Sequence, residues 1–263
     1  GWHDAADMSQ QFLQSGEIAY SLLEMANRAK EKGDNDMYVR MLEEAEWGID
    51  LILKSRFGDG YRAQTWGTNL WTDGFIGTKD DSTRWRRIHV HNRAFENFVF
   101  SGVEAYASMI IDKDKMLKEN LRKVAIEDFA FAKKRFDSLS FNDINSIGGG
   151  GDHAAMASNS QYMANISFAA SLLYKLTGDK YYANEAAYAI KYTLDCQRTE
   201  PLNDKNKTRG FFYRDLNKLS IVHYTHQSRD QYYMQALVML CETQPDHPDY
   251  KKWEAAIRLY GDY

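Results

Sequence analysis

Proline occupies only three of the 263 positions, 201, 245 and 248, so everything before residue 201 is free of the residue that most reliably breaks a helix. Apolar residues recur at spacings of three and four through that stretch. Residues 9–32 carry Phe12, Leu13, Ile18, Leu22, Met25 and Ala29, and residues 36–56 carry Met41, Ala45, Gly48, Leu51 and Leu53. Both patterns predict amphipathic helices. Further helices are expected over 93–112, 114–136, 154–176, 179–197, 228–243 and 248–262. Alternating strand patterns are nearly absent, and His89-Val90-His91 is about the only candidate.

The connections are of two kinds. Turns within a pair are short, at 33–35, 112–114, 177–179 and 244–247, whereas links between pairs are long, at 57–92, 137–153 and 198–227. The chain therefore reads as one all-α domain over 1–263, built from four antiparallel hairpins. If the hairpins wrap round an axis, the long links emerge at one end, where loops carry function. No tight repeat is visible.

Composition narrows the function. The net charge is −4 with acids and bases interspersed, unlike a basic nucleic-acid footprint. The apolar runs are too short to span a bilayer. Cys196 and Cys241 fall inside helical patterns as small apolar residues, and no Cys-x-x-Cys spacing suggests a metal. Neither a metal nor a cofactor is expected. Aromatic residues make up 14% of the chain, which suits either an aromatic core or a groove that stacks on sugar rings.

The polar and aromatic groups concentrate in the long links. Residues 57–92 hold Trp66, Trp71 and Trp85, which either line such a groove or plug the helical assembly, together with His89 and His91. Alternation would put both imidazoles on one face, but no third metal ligand is near, so pocket-lining or structural hydrogen bonding is expected. Residues 148–151 are four glycines, followed by Asp152 as a helix cap and by His153. No Lys-Ser/Thr follows them, so a phosphate loop is excluded. His226 and Arg229 stand three apart, as if sharing a helix face, in a cluster before the seventh helix. Either a substrate clamp or a structural role suits them.

The most informative segment is Gly1-Trp2-His3-Asp4-Ala5-Ala6-Asp7, directly ahead of the first helix. Two carboxylates three apart can cap a helix N-terminus. They can also converge on one point and hold and deprotonate a water molecule.

That segment resembles the Gly-Gly-aromatic-(aromatic or His)-Asp-Ala-Gly-Asp signature of family 9 glycoside hydrolases, the inverting cellulases and related glucanases built on an (α/α)6 toroid. Glu44-Ala45-Glu46-Trp47-Gly48-Ile49-Asp50-Leu51-Ile52-Leu53-Lys54 is similar to the family's second helix, and Asp59-Gly60-Tyr61 fits the loop after it. Leu172 to Tyr182, with Thr177-Gly178-Asp179 at its centre, is similar to a hairpin turn of six-hairpin glycosidases. These segments cover about two-thirds of the chain.

The resemblance implies that Asp7 is the general base and Asp4 its partner in holding the nucleophilic water. His3, Trp66, Trp71, Trp85, His89, His91, His153, His226 and Arg229 would meet a β-glucan or oligosaccharide. Inversion also needs a carboxylic acid on the other face of the sugar, roughly 6.5–9.5 Å from the base. The family's acid is a Glu in an Asn-Glu motif late in a longer module, and nothing like it occurs before Tyr263. The family's distal His/Arg motif is not found either, and four hairpins fall short of six. The resemblance thus maps this chain onto the first two-thirds of a catalytic module that is secreted or periplasmic. Residue 6 is Ala where the family has Gly. Two alternatives keep the fold: a toroid acting on another glycan, and a carbohydrate-binding scaffold without catalysis.

Overall fold

A computed structural model describes residues 1–2, 10–67, 87–145, 157–221 and 229–263, with backbone alone at 64–67, 87–89 and 144–145. The chain divides into two compact units, Gly1–Ser138 and Leu139–Tyr263.

In the first unit, β1 (Gln10–Gln11) leads into α1 (Phe12–Glu31), which turns back through Gly33 into α2 (Asn35–Lys54). Gly33 takes the left-handed backbone (φ +76°) that closes many helices, and Asp34 caps α2 by accepting from Met37 N at 3.1 Å. Leu42, Ala45, Ile49 and Ile52 form the buried stripe of α2 against α1. Next come β2 (Arg56–Gly58), β3 (Tyr61–Gly67) and β4 (Arg87–His91). Then α3 (Ala94–Ile110) and α4 (Lys115–Leu139) pair antiparallel. Ser101 Oγ donates to Ala125 O, Ser108 Oγ donates to Lys118 O, and Phe98 meets Phe129 edge-on.

Burial separates two kinds of helix. Every residue of α3 from Ala94 to Ser108 is buried, whereas α4 buries one stripe: Leu121, Val124, Ala125, Asp128, Phe129 and Ala132. A helix buried all round is an inner helix, and a one-striped helix is its outer cover.

The second unit repeats this scheme. After α5 (Asn142–Asn145), α6 (Asn159–Thr177) is buried from Ser160 to Leu173, while α7 (Lys180–Asp195) buries one face against it. α8 (Gln231–Thr243) packs on α6, and α9 (Tyr250–Gly261) packs on α8. Between α6 and α7, Gly178 is left-handed (φ +73°) and Asp179 caps α7 by accepting from Tyr181 N at 2.9 Å.

The eight long helices among the described residues agree with the expected four hairpins. Strand content was underestimated. β3 pairs antiparallel with β1, β2 and β4, so β1 and β2 share one edge of β3 while β4 takes the other. This small sheet sits within the long link and at the approach to α1, not between helix layers. Its signal was Asp59-Gly60: both residues are left-handed (φ +51° and +77°), as a two-residue type I′ hairpin turn requires. A second correction concerns α6. It starts at Asn159, with a capping box in which Ser158 Oγ accepts from Gln161 N and Gln161 Oε1 accepts from Ser158 N. Asp152, expected as the cap, lies outside the described residues.

In each unit the long connections meet at one end. The sheet joins the approach to α1, the exit from α2 and the entry to α3. In the second unit the link after α7 runs beside the start of α6, where Ser160 N donates to Arg214 O. Cys196 and Cys241 are both free, and burial pushes their thiols up to about 12 and about 11.

Candidate functional site

Asp4, Asp7 and His3 lie outside the described residues, but the chain on either side of them is well fixed. On the N-terminal side, Trp2 Nε1 donates to Glu44 Oε1 at 2.6 Å, and the Trp2 ring packs against Gly48 on α2. The Gly1 carbonyl accepts from Trp47 Nε1 at 2.9 Å. On the C-terminal side, Gln10 and Gln11 pair with Trp66 and Thr65 of β3. The two sides are tied directly, because Gln10 Nε2 donates to the same Gly1 carbonyl at 3.3 Å.

β3 is fastened in turn to the core by Arg62, which is 3% exposed. Its Nη2 donates to Glu104 Oε1 of α3 at 2.6 Å and to Asp128 Oδ2 of α4. Its Nη1 donates to Ile52 O and Ser55 Oγ at the end of α2, its Nε donates to Asn97 Oδ1, and the guanidinium lies 4.5 Å from the centre of the Phe100 ring. Arg56 adds bonds to both Asp128 and Glu127. One planar fork thus serves an element terminus, two helices and an aromatic face, which a lysine could not do. Burial pushes the Glu104 carboxyl up to about 8, outweighing the attraction of Arg62, and its Oε2 makes no hydrogen bond. The described buried carboxylates of this cluster are structural, committed to arginines rather than facing a groove.

His91 pairs across the sheet with Arg62 and lines a cavity of about 10 Å³ with Arg62, Arg93 and Glu96. That is room for one water, not for a sugar. His89 pairs with Thr65 and Trp66 with Ile88, both known here by backbone alone. Trp71, Trp85, His153 and His226 lie outside the described residues.

Arg229 corrects one expectation. α8 starts at Gln231, and Arg229 precedes it with a left-handed backbone (φ +53°), so it shares no helix face with position 226. Its carbonyl accepts from Gln161 Nε2 at 3.2 Å, joining the α6 capping box to the approach to α8. Beside it Tyr233 Oη lies 2.8 Å from Ser160 Oγ, and its ring stacks on Phe212 with centroids 4.1 Å apart. Among the described residues no cluster of His, Cys, Asp and Glu could hold a metal ion, and no helix is long and apolar enough to cross a membrane.

Residues 1–256 match the family described as glycosyl hydrolase family 9. The chain belongs to that family. No curated protein matches it by sequence. Among solved structures it resembles an endoglucanase of the termite Nasutitermes takasagoensis, at 18% identity and TM-score 0.66, covering 100% of this chain and 54% of that one. It also resembles the cellulase Cel9M of C. cellulolyticum, at 16% identity and TM-score 0.60, covering 100% and 54%. A third is endoglucanase CelQ of Clostridium thermocellum, solved with cellotetraose, at 14% identity and TM-score 0.61, covering 99% and 38%. The chain thus spans about half or less of the length of these relatives. Its helical hairpins are of the (α/α)6 toroid class.

The segments that carry the family 9 resemblance now have physical roles. Trp47 and Gly48 of α2 grip Gly1 and Trp2, so two separate stretches of the resemblance are in contact. Asp59-Gly60 is the β2–β3 turn, and Gly178-Asp179 closes α6 and opens α7. Sequence reasoning singled out neither Gln10 nor Trp47 as a site residue. It did not single out Arg62, Glu104 or Asp128 either. The available signal was Asn97, Ser101, Glu104 and Ser108, a polar line at spacings of three and four on a largely apolar α3.

Proposed function

We propose that this protein hydrolyses β-linked glucan with inversion, with residues 1–263 belonging to a single catalytic domain of which they supply part. Asp7 acts as general base, and Asp4 shares with it the water that attacks the anomeric carbon. The observation that carries this reading is the family 9 match over residues 1–256, which includes the Asp4-Ala5-Ala6-Asp7 motif. The chemistry follows from that pair. One carboxylate below the sugar takes the proton of a water that a second carboxylate orients, while an acid above the ring protonates the leaving oxygen.

Aromatic and imidazole groups of the long links, Trp66, Trp71, Trp85, His89, His153 and His226, together with His3 of the N-terminal motif, hold the glucan by stacking and hydroxyl contacts. The cellotetraose bound to CelQ supports an oligomeric β-glucan as the substrate class. Neither metal nor cofactor enters the mechanism. A secreted or periplasmic location, where polysaccharide is found, suits this chemistry.

The test is the full-length protein on soluble β-glucan, with product anomers followed by NMR. Asp7→Asn preserves shape and removes the base, and turnover should fall roughly 10²–10⁴-fold, the usual worth of a general base. Near-normal hydrolysis by that variant, or a product that retains configuration, rules the assignment out.

A further inference from the structure

We propose that α1 and α8 each carry a seat for a further inner helix, supplied in the full-length protein by the two hairpins that an (α/α)6 toroid holds beyond the four among the described residues. This rests on the reading above that residues 1–263 supply part of one catalytic domain. In α1, Ile18, Leu22 and Met25 follow one another at spacings of four and three, so they share one face. Ile18 and Met25 are exposed and Leu22 is half-buried. In α8, Met234, Val238 and Cys241 repeat that spacing, with Val238 exposed and the other two half-buried.

A single exposed apolar residue needs no explanation, but a row of three on one helix does. Outer helices here meet water with charge: α2 exposes Arg40, Glu43 and Asp50, and α9 exposes Lys251, Lys252 and Arg258. The two apolar rows lie instead on helices that pack against inner ones, α1 against α3 and α8 against α6. An inner helix of a closed ring has an inner neighbour on either side. α3 supplies one to α1 and α6 supplies one to α8, and the rows mark the second seat. Their chemistry suits an apolar helix. Neither row offers an aromatic ring for a sugar to stack on, and Gln14, Ser21 and Gln231 beside them bring no charge to hold an ionic partner. Half the length of this chain would supply two more hairpins, and the family 9 structures it resembles have at least that much beyond the part it covers.

Methionine oxidation in the full-length protein tests the seat on α1. Dilute hydrogen peroxide is the probe, and peptide mass spectrometry reads each sulfoxide. Met37, 38% exposed, and Met116, 85% exposed, lie off both rows and serve as open references, with buried Met163 as the protected one. Met25 is 51% exposed, so a free face would let it oxidise between Met37 and Met116. A covered face places it with Met163, roughly tenfold or more slower than Met37.

The seat on α8 is tested by charge. Val238→Asp should lower the thermal midpoint of the full-length protein by roughly 5–10 °C, because it buries an unpaired carboxylate. Tyr188→Asp, on the exposed face of α7, should shift it by less than about 2 °C. If Val238→Asp does not fold, Val238→Thr keeps the shape and should still lower the midpoint by roughly 3–6 °C. Met25 oxidising as fast as Met37, or position 238 tolerating these changes as position 188 does, overturns the proposal. So does protection of Met25 that disappears as a dimer is diluted, since the occupant is then a second copy. Hydrolysis of soluble β-glucan is measured on the same preparation. An inactive protein with Met25 protected refutes the hydrolase reading and not the seats, whereas an active one with Met25 oxidised refutes the seats alone.

Discussion

The six-membered ring of Trp2 occupies the space in which any residue but glycine at position 48 would carry its side chain. A Cβ at Gly48 would stand 2.6 Å from Trp2 Cζ3 and 3.1 Å from Ala19 Cβ. Gly48 is mid-helix, where glycine is normally unfavourable by roughly 0.5–1 kcal/mol relative to alanine. Here the missing methyl is what lets the N-terminal strap lie on α2. Gly48→Ala should therefore improve local helix propensity and still destabilise the protein. The expected net cost is about 1–3 kcal/mol, the usual range for overpacking. Urea unfolding followed by tryptophan fluorescence reads it, and a gain in stability would show that the strap moves aside freely.

Removing the Arg62 guanidinium takes from Glu104 the arginine it pairs with and leaves Asp128 with Arg56. Breaking a buried ion cluster by deleting one partner costs about 3–5 kcal/mol. Arg62→Met should lower the urea midpoint accordingly. Arg62→Lys should fall between, because an ammonium lacks the fork that reaches Ile52 O, Ser55 and both carboxylates. Equal stability of Lys and Arg at this position would show that charge alone matters.

Glu104 gives stability a pH dependence with a definite sign. Its carboxyl titrates near 4.5 when unfolded and near about 8 when folded. Between those values the unfolded chain has lost a proton that the folded protein keeps, so stability falls as pH rises, by at most about 1.4 kcal/mol per pH unit. The contribution is fully present below about 4.5 and gone above about 8. Glu104→Gln can still accept from Arg62 and does not titrate. Urea midpoints measured between these limits should decline less steeply in that variant than in the wild type, and identical slopes would assign the dependence elsewhere.

Two left-handed glycines should respond differently to alanine. Gly33 (φ +76°) has open space where a Cβ would go, so Gly33→Ala should cost only the backbone strain, about 1 kcal/mol. Gly60 (φ +77°) has the Phe131 ring in that space, so Gly60→Ala should cost about 1–3 kcal/mol more. Paired thermal midpoints decide it, and similar losses would mean that Phe131 swings away without cost.

The helices were readable because each carries its own period, but the buried face was only partly so: α2 buries Leu42, Ala45, Gly48, Ile49 and Ile52 rather than Met41, Leu51 and Leu53, and Ile18 and Met25 of α1 are exposed. The turn at Gly178-Asp179 was equally local. The sheet was missed because β3 does not alternate, placing Arg62 where the pattern demands an apolar residue. Its buried partners, Glu104 and Asp128, lie on other helices, and sequence spacing cannot show that three charges meet. The aspartate motif was legible as a pattern, but the meeting at the Gly1 carbonyl was not, since Gln10 and Trp47 look like ordinary polar and aromatic residues until the fold brings both to it.

The Arg62 fork also has a meaning in time. Its acceptors lie 42 and 66 positions further along the chain, at Glu104 and Asp128. A chain growing from its N-terminus has α1, α2, β3 and α3 in hand before α4 exists, and until then Arg62 lacks Asp128, one of its two buried acidic partners. The sheet that holds the strap can lock only after the fourth helix has docked. The small sheet, although its strands are made before α3 and α4, is thus among the last parts of its unit to be set.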